Sequence, residues 1–214
     1  MTGAQIITAF ETIVDDSLDE TLAYQLLNRA KNDIEEERDW VFLRKLDSSQ
    51  TASIGDSYTS MKTLPTDFRS PLKLYVDTLP YKMVSYLKRI TYRDSSRRWY
   101  IDWANSQFAL TGNVSASKTI NLYYKRTTDD ITLNTSPVMP SRFHLGIAFR
   151  MSEIFSAGLD ADERTTVMSS KQAEVAKSAL EAMRAWDSDQ RERELDGEDA
   201  NDEMDELGID VGNL

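Results

Sequence analysis

Cysteine is absent from the 214 residues, and that absence removes thiol nucleophiles, disulfide cross-links and thiolate metal sites together. A single histidine, His144, leaves no two-histidine metal site and little basis for an imidazole relay. It sits beside the apolar stripe Phe143, Ile147 and Met151, so it reads as a structural or surface group. No run of about 18 apolar residues occurs, so no membrane contact is expected. The first residues carry neither the basic cluster nor the apolar stretch of a secretory leader. Glycine-rich phosphate loops, GxxxxGK[ST] and HExxH are all missing. Carboxylate chemistry alone remains, and the runs that would supply it, such as Glu35, Glu36, Glu37 and Asp39, read as a solvated helix face. No enzyme, cofactor or metal is expected.

What is present is charge, and its sign changes along the chain. Residues 1–61 hold 12 acidic and 5 basic side chains, residues 62–126 hold 4 and 12, and residues 187–214 hold 12 and 2. A basic middle therefore lies inside a protein of net charge -11.

Periodicity divides the chain in the same places. Ile6, Ile7, Phe10, Ile13 and Val14 have helical spacing. "DDSLDE" then offers Ser17 as an N-cap with Glu20 three residues on. The helix that follows is predicted to run to about residue 46 on the stripe Leu18, Leu22, Leu26, Leu27, Ala30 and Ile34, ending in the bulky Trp40, Val41, Phe42 and Leu43. Residues 47–60 read as a loop or weak edge strand. From residue 61 the period changes to two. Leu72, Leu74 and Val76 form one alternating set, Trp99, Ile101 and Trp103 another, Ile120, Leu122 and Tyr124 a third. "LPYKMVSYLKRITYRD" fits a short helix or a strand equally. Pro137 and Pro140 mark a connector, Phe143, Ile147, Met151, Ile154 and Phe155 a returning helix, and Val167, Ala173, Ala176, Leu180 and Met183 a long last helix over about 161–187, with Asp160 as its cap.

These elements predict an α+β protein with a mainly helical, bundle-like core, a β-rich insertion and an extended acidic C-terminal tail. The segments are 1–60 for the N-terminal helices, 61–126 for the basic β-rich insertion, 127–187 for the connector and C-terminal helices, and 188–214 for the acidic extension.

Three stretches are candidates for function. The rigid turn Leu64, Pro65, Asp67, Phe68 aims the β-region: Pro65 holds Leu64 extended, Asp67 is expected to cap the turn and Phe68 to bury against the helical layer. Arg93, Arg97, Arg98, Lys125 and Arg126 suit either a subunit interface or DNA, with Lys88, Arg89, Tyr92, Trp99 and Tyr100 nearby. The tail is acidic but punctuated by Leu195, Met204, Leu207, Ile209, Val211 and Leu214, which suits docking on a partner as well as plain disorder. A calcium loop is not expected, since Met204 stands at the glycine position.

Taken in order, "LAYQLLNRAKNDIEEERDWVFLRK", "LPTDF", "WYIDWANSQFALTGN", "INLYYKR" and "PSRFHLGIAFRMSEIF" resemble the tailed-phage head-to-tail connectors, adaptor proteins that bind beneath the portal. The resemblance spans about residues 15–160. It implies a structural virion protein of the neck, assembled in the host cytoplasm as a homo-oligomer, typically a twelve-fold ring. Its partners would be the portal, the tail or nozzle proteins and, non-specifically, the DNA passing through its channel. It further implies that Trp40 and Leu43 are helix-end core residues, that Tyr123 and Tyr124 lie in the strand closing the sheet, and that the acidic tail grips the portal. Another neck or tail-completion component, or a non-enzymatic nucleic-acid-binding module, are the alternative readings.

Overall fold

The computed structural model describes residues 1–95, 97–157 and 171–206, with side chains described from 174 to 193 in the last stretch. The chain divides into two compact units, Met1–Phe42 with Asp129–Leu214, and Leu43–Thr128. Among the described residues there are four α-helices, α1 (Gly3–Val14), α2 (Glu20–Glu37), α3 (Leu145–Ser156) and α4 (Lys171–Glu206).

All four helices lie in the first unit. Thr2 opens α1 with a capping box, its hydroxyl accepting from the Gln5 N–H while the Gln5 side chain accepts from the Thr2 N–H. Ile6, Phe10 and Ile13 then point inward at helical spacing. α2 starts from Asp19 rather than Ser17: the Asp19 carboxylate accepts from the N–H groups of Thr21 and Leu22. Its buried stripe is Ala23, Leu27, Ala30 and Ile34, and Leu22 is exposed. Lys31 and Glu35 are buried too, which corrects the reading of Glu35 as part of a solvated face. The Lys31 ammonium donates to the Asp129 carbonyl (3.0 Å), and the Asn28 amide exchanges two hydrogen bonds with the backbone of Ile131. Polar side chains of α2 thus pin the proline-bearing connector.

α2 stops at Glu37, nine residues short of its expected end near 46. The reason lies in Trp40. Its indole N–H reaches back to the carbonyl of Ile34, one of the last-turn carbonyls that a helix leaves without a partner. The Asp187 carboxylate, fully buried on α4, accepts from the Val41 N–H (2.7 Å) and holds the exit path. α3 packs on α1, α2 and α4. At Gly146 a Cβ would come 3.3 Å from the Cα of Leu180, so glycine permits this approach of α3 to α4. Helix α4 itself continues through the region expected to be an extended tail, as far as Glu206. The i,i+4 pairs Asp187–Arg191 and Asp189–Arg193 support the helix as far as Arg193. Asp160 and the segment around it lie outside the described residues.

The expectation of a mainly helical, bundle-like core is overturned by the second unit. It is a seven-stranded, nearly closed, barrel-like sheet with its own core. The strands are β1 (Arg44–Ala52), β2 (Lys62–Thr63), β3 (Phe68–Val76), β4 (Leu79–Met83), β5 (Arg98–Asp102), β6 (Gln107–Leu110) and β7 (Lys118–Arg126), in the order β1-β7-β3-β4-β5-β6-β2. Ala52 from one end of the sheet and Leu64 and Phe108 from the other share one cluster with Leu74, Trp99, Ile101 and Leu122. Period-two alternation holds along β7, where Ile120, Leu122 and Tyr124 are buried. It fails at Leu72, which is 38% exposed because the register with β7 slips between Pro71 and Lys73 and leaves it as the extra residue of a bulge. Trp103 also departs from expectation: β5 ends at Asp102 and the indole is 56% exposed. A two-residue hairpin turn at Asp77, with φ of 54°, follows Val76, and the undecided stretch from Leu79 is β4 and then a single 3-10 turn.

His144 lies in the helical unit at 2% exposure. Its Nε2 is 3.0 Å from the Met139 carbonyl and its Nδ1 2.8 Å from the Met1 nitrogen, a pair of partners suited to a neutral ring donating from Nε2. Burial holds the His144 pKa below its ordinary 6.5, against the Met139 hydrogen bond, which favours the charged form. The unfolded chain therefore takes up this proton first, and the stabilisation from the neutral ring is present above about pH 6.5 and lost as pH falls below it. We expect the thermal midpoint to drop on going from about pH 7.5 to about pH 5.5, and to drop less in His144→Gln. Parallel pH curves for the two proteins would contradict this.

Candidate interaction site

Among the described residues no group of three or more His, Asp or Glu side chains could hold a metal ion. No helix there is long and apolar enough to cross a membrane. The features that remain are a clasped turn, a basic crossover and an acidic helix.

In the turn, Leu64 is buried and its N–H donates to the Ser106 carbonyl (3.0 Å). The Pro65 carbonyl accepts from the Phe68 N–H, so proline opens the turn. Asp67 gathers partners from distant strands. Its carboxylate accepts from the Tyr124 hydroxyl (2.6 Å) and from the Lys45 ammonium (2.7 Å), and its carbonyl accepts from the Thr127 N–H (2.7 Å). Burial alone would raise the Asp67 pKa, but the bonds from Lys45 and Tyr124 overcome it and hold the carboxyl below its usual range. Burial, and then the same bond to Asp67, push the Tyr124 phenol well above its ordinary value. The Phe68 ring, expected against the helical layer, has its aromatic partners within the sheet, Tyr124 at 5.5 Å and Trp103 at 5.9 Å. Trp40 is fully buried in the core. Neither Lys45 nor Tyr124 is visible as an Asp67 partner in the sequence, since both bonds depend on strand register.

The basic candidates fall in two places. Arg93 and Arg97 belong to the crossover between the parallel strands β4 and β5, and Arg98 opens β5. Arg93 pairs with Asp94 (3.1 Å), Arg97 is exposed with φ of 57°, and the Arg98 guanidinium lies over the Tyr92 ring at 4.6 Å. Lys125 and Arg126 end β7, with β3 and β4 intervening in the sheet order, and Lys125 is buried. The structure therefore brings the three arginines together and not the full set of five. What sequence reasoning missed is apolar: Leu87 is 85% exposed and Ile90 58%, side by side with Lys88 and Arg89. The three-residue spacing inside "YLKRITYR" was a signal, hidden because that stretch fits a buried strand equally well.

The acidic stretch is helical as far as Glu206. The side chains of Leu195 and Met204, and all of Leu207, Ile209, Val211 and Leu214, lie outside the described residues. Within the described part, Asp187 is buried between Arg38 (3.7 Å) and Arg191 (2.9 Å), so residues through Arg191 serve the helical unit itself.

Compared with known families, residues 1–200 match the model described as SU10 adaptor protein. No curated protein matches the chain.

The clasp generates a direct test. Tyr124→Phe removes a buried hydroxyl bonded to a carboxylate and should cost about 1–2 kcal/mol in urea unfolding. Lys45→Met, at a half-exposed ion pair, should cost less than about 1 kcal/mol. A wild-type midpoint for the tyrosine variant would show that Asp67 does not organise the turn.

Proposed function

Because the chain belongs to the SU10 adaptor protein family, a family of phage structural adaptors, we propose that it forms a ring in the virion neck, between the portal above and the tail or nozzle proteins below. The family match over residues 1–200 carries this reading. The layout of the chain supports it: the reversal of charge between residues 62–126 and 187–214 gives unlike surfaces that can meet across a subunit boundary. We take the ring to be twelve-fold and its channel to pass DNA, as the resemblance implies. The clasp at Leu64, Pro65, Asp67 and Phe68 would fix the angle of the sheet turn on which closure depends. Leu195, Met204, Leu207, Ile209, Val211 and Leu214 would supply apolar contacts for the portal, ordering on contact at an entropic cost.

Native mass spectrometry of the protein alone and mixed with a portal ring tests the assignment. A stoichiometric ring on the portal is the expected outcome. Indifference to the portal with a shift on other neck or tail components would move it to a tail-completion role, and a salt-sensitive shift with DNA alone would make it a nucleic-acid-binding module. Truncation after Arg193 spares the Asp187–Arg191 pair. That variant should fold as the wild type and bind the portal at least about tenfold more weakly by calorimetric titration. An unchanged affinity would remove the tail from the contact.

A further inference from the structure

The β4–β5 crossover is an anchored segment with an uncovered outer side. On its inner side the Thr111 hydroxyl donates to the Ser95 carbonyl (2.6 Å), the Gly112 N–H donates to the Arg93 carbonyl (2.8 Å), and Tyr92 joins the buried cluster of Val84, Tyr100 and Ala109. Tyr86 meets Tyr100 edge to face at 5.8 Å while the Arg89 guanidinium covers its ring at 3.7 Å. Leu87 and Ile90 are therefore held outward by a segment tied at several points. Burying such side chains is favourable, and this surface forgoes that gain while uncovered. From Lys82 to Arg98 there are six cations and one acid, and Lys82, Lys88, Arg93 and Arg97 are exposed. An apolar centre with a rim of one sign has the anatomy of an interface.

The sign of the rim asks for an acidic occupant, and this chain has one. Residues 189–206 hold ten carboxylates against Arg191 and Arg193, on the helix that extends to Glu206. Glu194, Glu198, Asp202 and Glu206 recur every four residues, the spacing at which like charges on a helix repel. Cations from outside would relieve that repulsion.

We propose that the β4–β5 crossover is the seat of the acidic α4 extension of a second copy of this chain, its lysines and arginines meeting the carboxylates between Glu192 and Glu206. The placement in an adjoining copy rests on the ring reading above. It divides the labour of the tail: the acidic stretch through Glu206 engages the neighbouring subunit, and the residues that follow it in the sequence remain for the portal.

Sedimentation of the full chain, without portal, tests this. Self-association should weaken at least about tenfold between about 0.05 M and about 0.5 M salt. A crossover variant (Lys88→Glu, Arg89→Glu, Arg93→Glu) and a tail variant with the nine carboxylates from Glu192 to Glu206 changed to their amides should each be monomeric. Mixed in equal amounts they should form a 1:1 heterodimer and nothing larger, since only one complementary pair of surfaces survives. Circular dichroism checks that each variant is folded. Wild-type-like association of either variant, or no heterodimer on mixing, overturns the proposal, as does a wild-type chain that stays monomeric at about 1 mM in low salt. A monomer that still forms rings on the portal would overturn this contact and leave the adaptor reading standing. Loss of DNA binding alone in the crossover variant would reassign the surface to nucleic acid.

Discussion

A long segment inserted between two helices must end beside the place where it began, and the pairing of β1 with β7 meets that constraint. Lys45 lies directly across from Tyr124, and Arg44 across from Lys125. Asp67 adds a third point, since its carboxylate receives Lys45 from β1 and Tyr124 from β7 while its carbonyl receives Thr127. β1, β7 and the turn itself thus meet at one residue. Because Tyr124 is buried and its hydroxyl is bonded to a charged group, losing that bond leaves a polar atom in the core. The lysine contact is partly hydrated and contributes less.

The crossover follows from the same topology. β3 turns back on β7 and then on β4 as antiparallel partners, but β4 and β5 run parallel. Parallel neighbours cannot be joined by a hairpin, so the chain must travel back along the sheet before β5 can begin. Such a path has an inner and an outer side. Val84 and Tyr92 occupy the inner side with Tyr100, whose burial makes β5 packed on both faces. The outer side is left with Leu87 and Ile90.

Elements with regular spacing and no competing demand were legible in the sequence: α1, α3 and β7 lie where their patterns placed them. Those shaped by distant partners were not. β1 is an edge strand with a bulge between Asp47 and Gln50; its serine, threonine and glutamine leave loop and weak edge strand equally open, and pairing with β7 decides for the strand. Nothing local announces that α2 ends at Glu37, since the ending depends on Trp40 folding back and on Asp187 far along the chain. Glu35 looked solvated because its neighbours are acids, yet the helix turn places it inward with Lys31. Leu72 and Trp103 belonged to sound alternating patterns that a bulge and a strand end broke. For the candidate sites, the cluster of Arg93, Arg97 and Arg98 was legible, whereas their separation from Lys125 and Arg126 required the strand order.

Charge segregation limits how copies of such a chain can meet. In a two-fold contact a surface lying on the axis faces its own equivalent, so a crossover placed there would set its exposed cations against one another. The acidic stretch of α4 would meet the same difficulty, with ten carboxylates between Asp189 and Glu206. Screening over about 8 Å weakens these repulsions between exposed groups but does not change their sign. Contacts between unlike surfaces turn both charges to advantage, and each copy then presents one surface of each kind. A contact of that type repeats from copy to copy, closing when the rotation per subunit divides a full turn and growing as a filament when it does not. In such an assembly the decisive quantity is the angle held between successive subunits. That makes rigid joints such as the Pro65 turn and its Asp67 clasp as consequential for assembly as the contact surfaces themselves.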